Sequence, residues 1–168
     1  MLIRAVDLLK DINQITEIYN YYIENSPQTF ETEPISSEEM SHRIQEIVSE
    51  GHPFLVAEDQ AEVLAYAYAK RFKLDRAFDY TASVAIYVKA NQVHKGIGTD
   101  LYLKLFELLA QTDFHTLIAA ISLPNETAVR FHEKLGFRKV AHFYEIGYKL
   151  GRWVDVGYWQ KMNPIGNE

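Results

Sequence analysis

Cysteine is absent from this chain, which excludes disulfide frameworks and thiolate metal sites and makes a cytoplasmic location the expectation. No apolar run reaches the length needed to cross a bilayer, so no membrane partner is expected. The opening residues, Met1-Leu2-Ile3-Arg4-Ala5, lead into a strand-like pattern and carry none of the features of a signal peptide. Positive charge is in the minority: 17 Lys and Arg stand against 23 Asp and Glu, for a net charge of -6. No basic cluster offsets that balance, so nucleic acid is not an expected partner. The 6 histidines show no ligand spacing such as H-E-x-x-H, and no metal is expected. Repeats, low-complexity stretches and linkers are also missing. One domain over residues 1–168 is therefore the simplest organisation.

What is present is periodic. Leu2 to Val6 reads as a strand. From Asp11 to Asn25, Ile12, Ile15, Ile18, Tyr19, Tyr22 and Ile23 recur at helical spacing, and Ser26-Pro27 stops the helix. Ser36 and Glu39 form a capping-box pattern that starts a second helix, with Met40, Ile44, Ile47 and Val48 as its stripe. The period then changes. Phe54–Ala57 and Val63–Tyr68 read as strands around a turn at Asp59-Gln60, and YTASVAIYV, Tyr80 to Val88, as a longer one. A helix follows with Leu101, Leu105, Leu108 and Leu109 on one side, then an apolar strand from Leu117 to Ile121. Asn125 caps a further helix ended by Gly136. Phe137 to Met162 reads as two strands around Gly151. The order β-α-α-β-β-β-α-β-α-β-β predicts a mixed α/β (α+β) architecture, a sheet with helices packed on it rather than a doubly wound alternation.

Between the long strand and its helix stands VHKGIGTDLY. Two glycines permit a sharp turn, which is its plainest reading. A dinucleotide fingerprint would need a glycine where Leu101 stands, and a Walker loop would need a Gly-Lys-Ser/Thr that is missing. The turn nevertheless places the backbone N–H groups of His94 to Thr99 at a helix start, where they lack intrahelical partners and the dipole is positive. Such an end can take a pyrophosphate, with Lys95 and His94 adding charge-assisted contacts.

A second motif, LPNETAVRFHEKLGF from Leu123 to Phe137, joins the first. Together they resemble the Gcn5-related N-acetyltransferase (GNAT) superfamily. With TFETEP (Thr29–Pro34), YTASVAIYV, GIGTDLY and GYKLGRWVDVGYWQ, the chain resembles the phosphinothricin acetyltransferase-like branch in five ordered blocks between residues 29 and 160. The resemblance implies a GNAT fold: a central twisted mixed sheet of about seven strands, flanked by about four helices, with a splayed strand pair. It implies acetyl-CoA as co-substrate, held by Ile86, Tyr87 and Val88 along the strand, by His94, Lys95, Gly96, Ile97, Gly98 and Thr99 at the turn, and by Asn125 and Lys134. It implies transfer of acetyl to the primary amine of a small amine or amino-acid-like substrate, and a homodimer.

The same resemblance assigns His132 and Ser83 to the catalytic position. A histidine titrates near neutrality and could serve either proton step. Ser83 stands where the family commonly has a glutamate base, and a hydroxyl could at most position a water. Val93 stands where the cofactor motif usually begins with Arg or Gln. On the acceptor side the implied residues are Phe30, Glu31, Lys73, Asp75 and Tyr80. Glu31 and Asp75 occupy positions where phosphinothricin enzymes place arginines. If they line the pocket they favour a neutral or cationic amine; otherwise they face solvent, the usual fate of carboxylates. The alternative to an enzyme is a non-catalytic acyl-CoA-binding protein of the same fold that has lost its base.

Overall fold

The computed structural model describes residues 1–93 and 95–164. Its elements follow the expected order: β1 (Leu2–Ala5), α1 (Leu8–Asn25), α2 (Ser37–Ser49), β2 (Phe54–Asp59), β3 (Glu62–Arg71), β4 (Thr81–Val88), α3 (Ile97–Leu109), β5 (Thr116–Leu123), α4 (Glu126–Lys134), β6 (Arg138–Lys149) and β7 (Arg152–Met162). The seven strands form one sheet in the order β1-β2-β3-β4-β5-β7-β6. Every neighbouring pair is antiparallel except β4–β5.

The period-2 alternation divides the strands between two apolar layers. On one face Ala82, Val84, Leu117, Ala119 and Ile121 pack with Leu101, Tyr102, Leu105 and Leu109 of α3. On the other, Phe54, Val56, Val63 and Tyr66 pack with Ile15, Ile18 and Tyr22 of α1 and Met40, Ile44 and Ile47 of α2. The Asp7 carboxylate caps α1 by accepting from the Leu9 amide, and Ser36 caps α2 by accepting from Glu39 N. Each such cap stabilises its helix by about 1 kcal/mol. Arg4 on β1 holds the buried Asp11 carboxylate through hydrogen bonds of 2.7 and 2.8 Å, which fixes α1 against the sheet edge.

Three local expectations are corrected. Glu39 does not reach back to Ser36; it accepts from Arg43 Nε at 2.8 Å, one helical turn on. Val48 and Leu108, at the margins of their stripes, are exposed, and Tyr102 takes the buried place on α3 instead. The β2–β3 turn centres on Gln60 and Ala61, both at positive φ (48° and 67°), one residue later than its composition suggests. Near the C-terminus, Trp159 is 1% exposed and Trp153 62% exposed.

Candidate active site

The site begins where the sheet divides. β4 and β5 pair only at Thr81↔Thr116, Ala82↔Leu117 and Ser83↔Ile118. Beyond Ser83 the two strands separate, so β4 has a length of backbone without a neighbour on that side. Its polarity follows from register. Phe72 N donates to Thr81 O and Lys89 N to Leu64 O, so the odd-numbered residues of β4 bond to β3. Val84, Ile86 and Val88 therefore turn their amides and carbonyls toward the gap. Ile86 and Val88, two of the residues expected along the cofactor, thus turn their backbone to the gap. The backbone of Tyr87, the third, is committed to Tyr66. Its ring instead packs 5.3 Å from Tyr19 and 5.2 Å from Tyr66. The carbonyl of Val88 is also engaged, accepting from the Tyr22 hydroxyl.

The gap opens into a cleft of about 560 Å³ lined by Ile86, Val88, Gly96, Ile97, Gly98, Thr99, Asn125, His132 and Lys134, among others. Gly96 sits at φ 83°, the left-handed conformation that starts α3. At Gly98 a Cβ would stand 3.5 Å from Ile86 and Phe131, an ordinary contact. Protein packing therefore does not demand that glycine; its bareness leaves the helix start open to the cleft. The expected run of free amides is shorter than the sequence suggested, because Thr99 N and Asp100 N both donate to the Gly96 carbonyl. Ile97 and Gly98 remain as first-turn amides that precede any intrahelical partner. Lys95 is exposed and its Nζ donates to Gln92 Oε1 at 3.0 Å. His94 lies outside the described residues.

His132 lines this cleft and a smaller, deeper cavity of about 80 Å³ between β4 and β5. Its Nδ1 lies 2.8 Å from the Ala128 carbonyl. A carbonyl only accepts, so the proton is on Nδ1 and Nε2 carries the lone pair. Nε2 faces the Tyr102 hydroxyl at 3.3 Å. Burial holds the imidazole below its ordinary value, partly offset by the Ala128 bond. Burial also pushes the Tyr102 hydroxyl up, so it stays protonated and donates. Tyr102 is 0% exposed and lines the deeper cavity. It was not singled out from sequence, where it read only as one more aromatic residue in a helix.

Asn125 uses its Oδ1 to cap α4, accepting from Ala128 N at 3.1 Å, and lines both cavities. Ser83 is the last paired residue before the strands part, opposite Lys70 on β3. Lys73, Asp75 and Tyr80 lie on the exposed stretch ahead of β4 and line neither cavity, and Phe30 is likewise exposed. Glu31 meets neither of its expected fates. Arg43 binds it in a fork of 2.7 and 2.8 Å and the Tyr19 hydroxyl donates to it. Arg43 holds its carboxyl below the usual range. A charge so paired is a poor recruiter of cations, which corrects the inference drawn from its sign. The loop that carries it is tied across the molecule by Lys149, whose buried Nζ donates to the Thr29 carbonyl and Oγ1 at 2.9 and 3.0 Å. Nothing in the sequence marks that contact, which joins residues 120 positions apart.

Residues 3–157 match the family described as acetyltransferase (GNAT) domain. The chain belongs to the GNAT acetyltransferases. Among similar proteins is the phosphinothricin N-acetyltransferase of Streptomyces viridochromogenes, 36% identical over 151 residues, covering 90% of this chain and 82% of that one. The L-methionine sulfoximine/L-methionine sulfone acetyltransferase of Pseudomonas aeruginosa is 30% identical, covering 89% and 88%. A phosphinothricin acetyltransferase from Sinorhizobium meliloti, solved in complex with AcCoA, superposes with a TM-score of 0.94 at 31% identity, covering 99% of this chain and 90% of that one. In this GNAT acetyltransferase the parted strands, the glycine turn and His132 thus converge on one cleft, with Tyr102 in the smaller cavity beside it. Among the described residues no helix is long and apolar enough to cross a membrane.

Proposed function

We propose that this protein transfers the acetyl group of acetyl-CoA to the primary amine of a small amino-acid-like molecule, the whole chain acting as one N-acetyltransferase domain in the cytoplasm. The observation that carries the reading is the parting of β4 from β5, which turns the backbone of Val84, Ile86 and Val88 toward a cleft ending at the α3 N-terminus. Amides spaced along a strand suit a pantetheine arm, and the start of α3 with Lys134 suits a pyrophosphate. Bound acetyl-CoA supplies an activated thioester. The chain supplies the rest. Tyr102, in the smaller cavity, and His132, which lines both, take the proton that the attacking amine loses and return it to the departing sulfur. His132 is suited to both steps because it is neutral at rest with its basic nitrogen bonded to Tyr102.

Calorimetric titration with acetyl-CoA, with NADH as control, tests the reading. One-site binding of acetyl-CoA alone is expected, followed by thiol release when L-methionine sulfone is added; no binding of acetyl-CoA overturns it. The His132–Tyr102 pair favours an enzyme over a non-catalytic acyl-CoA binder, since a protein that only bound the thioester would have no use for a base there.

The assembly in this reading is a homodimer. β6 is the terminal strand of the sheet. β6, β7 and the turn between them expose Phe143, Tyr144, Ile146, Tyr148, Leu150 and Trp153. An edge strand bearing that much apolar surface is normally covered, and a second copy offers the same surface in return. Trp153→Glu is expected to shift the protein to monomer in sedimentation velocity while leaving the fold intact.

A further inference from the structure

The deeper cavity contains an unused polar group. Ser122, on β5, is 2% exposed, and its Oγ is buried with no hydrogen-bond partner among the described residues. It lines the cavity together with Tyr102, His132 and Gln28. A buried hydroxyl left unbonded costs about 1–3 kcal/mol, so a group that stays in that state stands ready for a ligand. The strand geometry says which ligand. Leu117, Ala119 and Ile121 point to the α3 layer, so Ser122 points the other way, toward the α1–α2 side. Gln28 comes from that side, on the loop between α1 and α2. It lines both the cavity and the main cleft, so it sits where they join.

We propose that Ser122 and Gln28 are the residues that position the acceptor amine, an inference that rests on the acetyltransferase reading. A neutral primary amine carries two N–H bonds and one lone pair. Attack on a thioester needs the lone pair aimed and the N–H bonds satisfied. The Ser122 hydroxyl oxygen and the Gln28 amide oxygen are two acceptors on the acceptor side of one small cavity. Each receives one N–H, and the lone pair is left pointing at the thioester carbon. As the N–C bond forms and the C–S bond breaks, one of the two N–H bonds turns from its acceptor and gives its proton to Tyr102, which borders the same space and passes its own to His132 Nε2. The chemical class selected is therefore a primary amine in preference to a secondary one, which can satisfy only one of the two acceptors.

Thiol release is measured with L-methionine sulfone and its N-methyl derivative, for the wild type, Ser122→Ala and Gln28→Ala. Loss of one neutral hydrogen bond is expected to lower kcat/KM for the primary amine about fivefold in each variant. The N-methyl amine is expected to change less, so the preference for primary over secondary falls. Acetyl-CoA affinity by calorimetry is expected to match the wild type, and the melting temperature of Ser122→Ala to equal or exceed it, because an unbonded buried hydroxyl is removed. Equal losses on both amines would overturn the proposal, as would a weakened acetyl-CoA affinity, which would place the Ser122 partner on the co-substrate. If the wild type turns over neither amine, the acetyltransferase reading fails and takes this one with it; turnover with an unchanged preference fails this one alone.

Discussion

Turnover by a His132→Ala variant is expected to fall about a hundredfold, the scale of a lost general acid–base group, with acetyl-CoA affinity largely kept. The imidazole is buried among Tyr102, Phe131 and Phe137 at ring separations of 5.5, 5.2 and 5.3 Å, so alanine also leaves a void. Tyr102→Phe separates the two effects. It removes only the hydroxyl that faces Nε2, and about a tenfold loss is expected if that hydroxyl carries the proton between cavity and imidazole. The pH profile gives an independent check. In the proposed mechanism His132 is the base, and burial lowers its pKa from 6.5. It is ready above that lowered pKa and lost as pH falls through it, so the acid limb of kcat lies below pH 6.5 rather than at it. Stability moves with the same sign. Between the two pKa values the unfolded chain binds the extra proton, so stability declines as pH drops below 6.5. In His132→Ala that part of the decline is expected to vanish from denaturant melts. An unchanged kcat would remove His132 from the mechanism.

The layout of the fold was legible because it rests on local signals. The change from a 3.6 to a 2.0 period, the Ser36 and Asn125 caps and the Gly96, Gly136 and Gly151 turns each lie within a few residues of what they specify. The residues that line the cleft drew attention through the glycine turn and ordered motifs rather than through periodicity. What could not be read were the contacts made across the fold. Tyr102 meets His132 30 positions away, and Lys149 meets Thr29 120 positions away; neither leaves a trace in a local pattern. Ser122 is similar. Its importance comes from a missing partner, which only a packed structure can show. Glu31 was misread for a related reason: its charge was visible in the sequence, but the Arg43 that neutralises it lies on the next helix. Trp153 and Trp159 share a face by parity, yet only Trp159 reaches α4, where its Nε1 donates to Glu133 Oε1 at 3.2 Å.

That last contact gives the second large effect. Gly157→Ala is expected to destabilise the protein by about 3 kcal/mol, at the upper end for inserting a methyl group into a filled core. Gly157 is buried in β7 and is not at positive φ, so backbone freedom is not what requires glycine there. Space is. A Cβ at this position would run into the Trp159 ring, 2.8 Å from Cη2 and closer still to Cζ3, and would stand 3.1 Å from Leu123 Cδ1. An indole is rigid, and this one is among the largest fully buried side chains, so it cannot swing clear as an exposed chain would. The strain then has two outlets. If Trp159 shifts, it pulls on Glu133, the neighbour of His132 on α4, and the proton-transfer geometry moves with it. If β7 shifts, it disturbs the Ile121↔Gly157 pairing with β5, one residue from Ser122. Chemical denaturation measures the loss directly. Its companion is kcat at a temperature where the variant remains folded: a fall there beyond the folded fraction shows that the bare α-carbon of Gly157 supports the active site as well as the core.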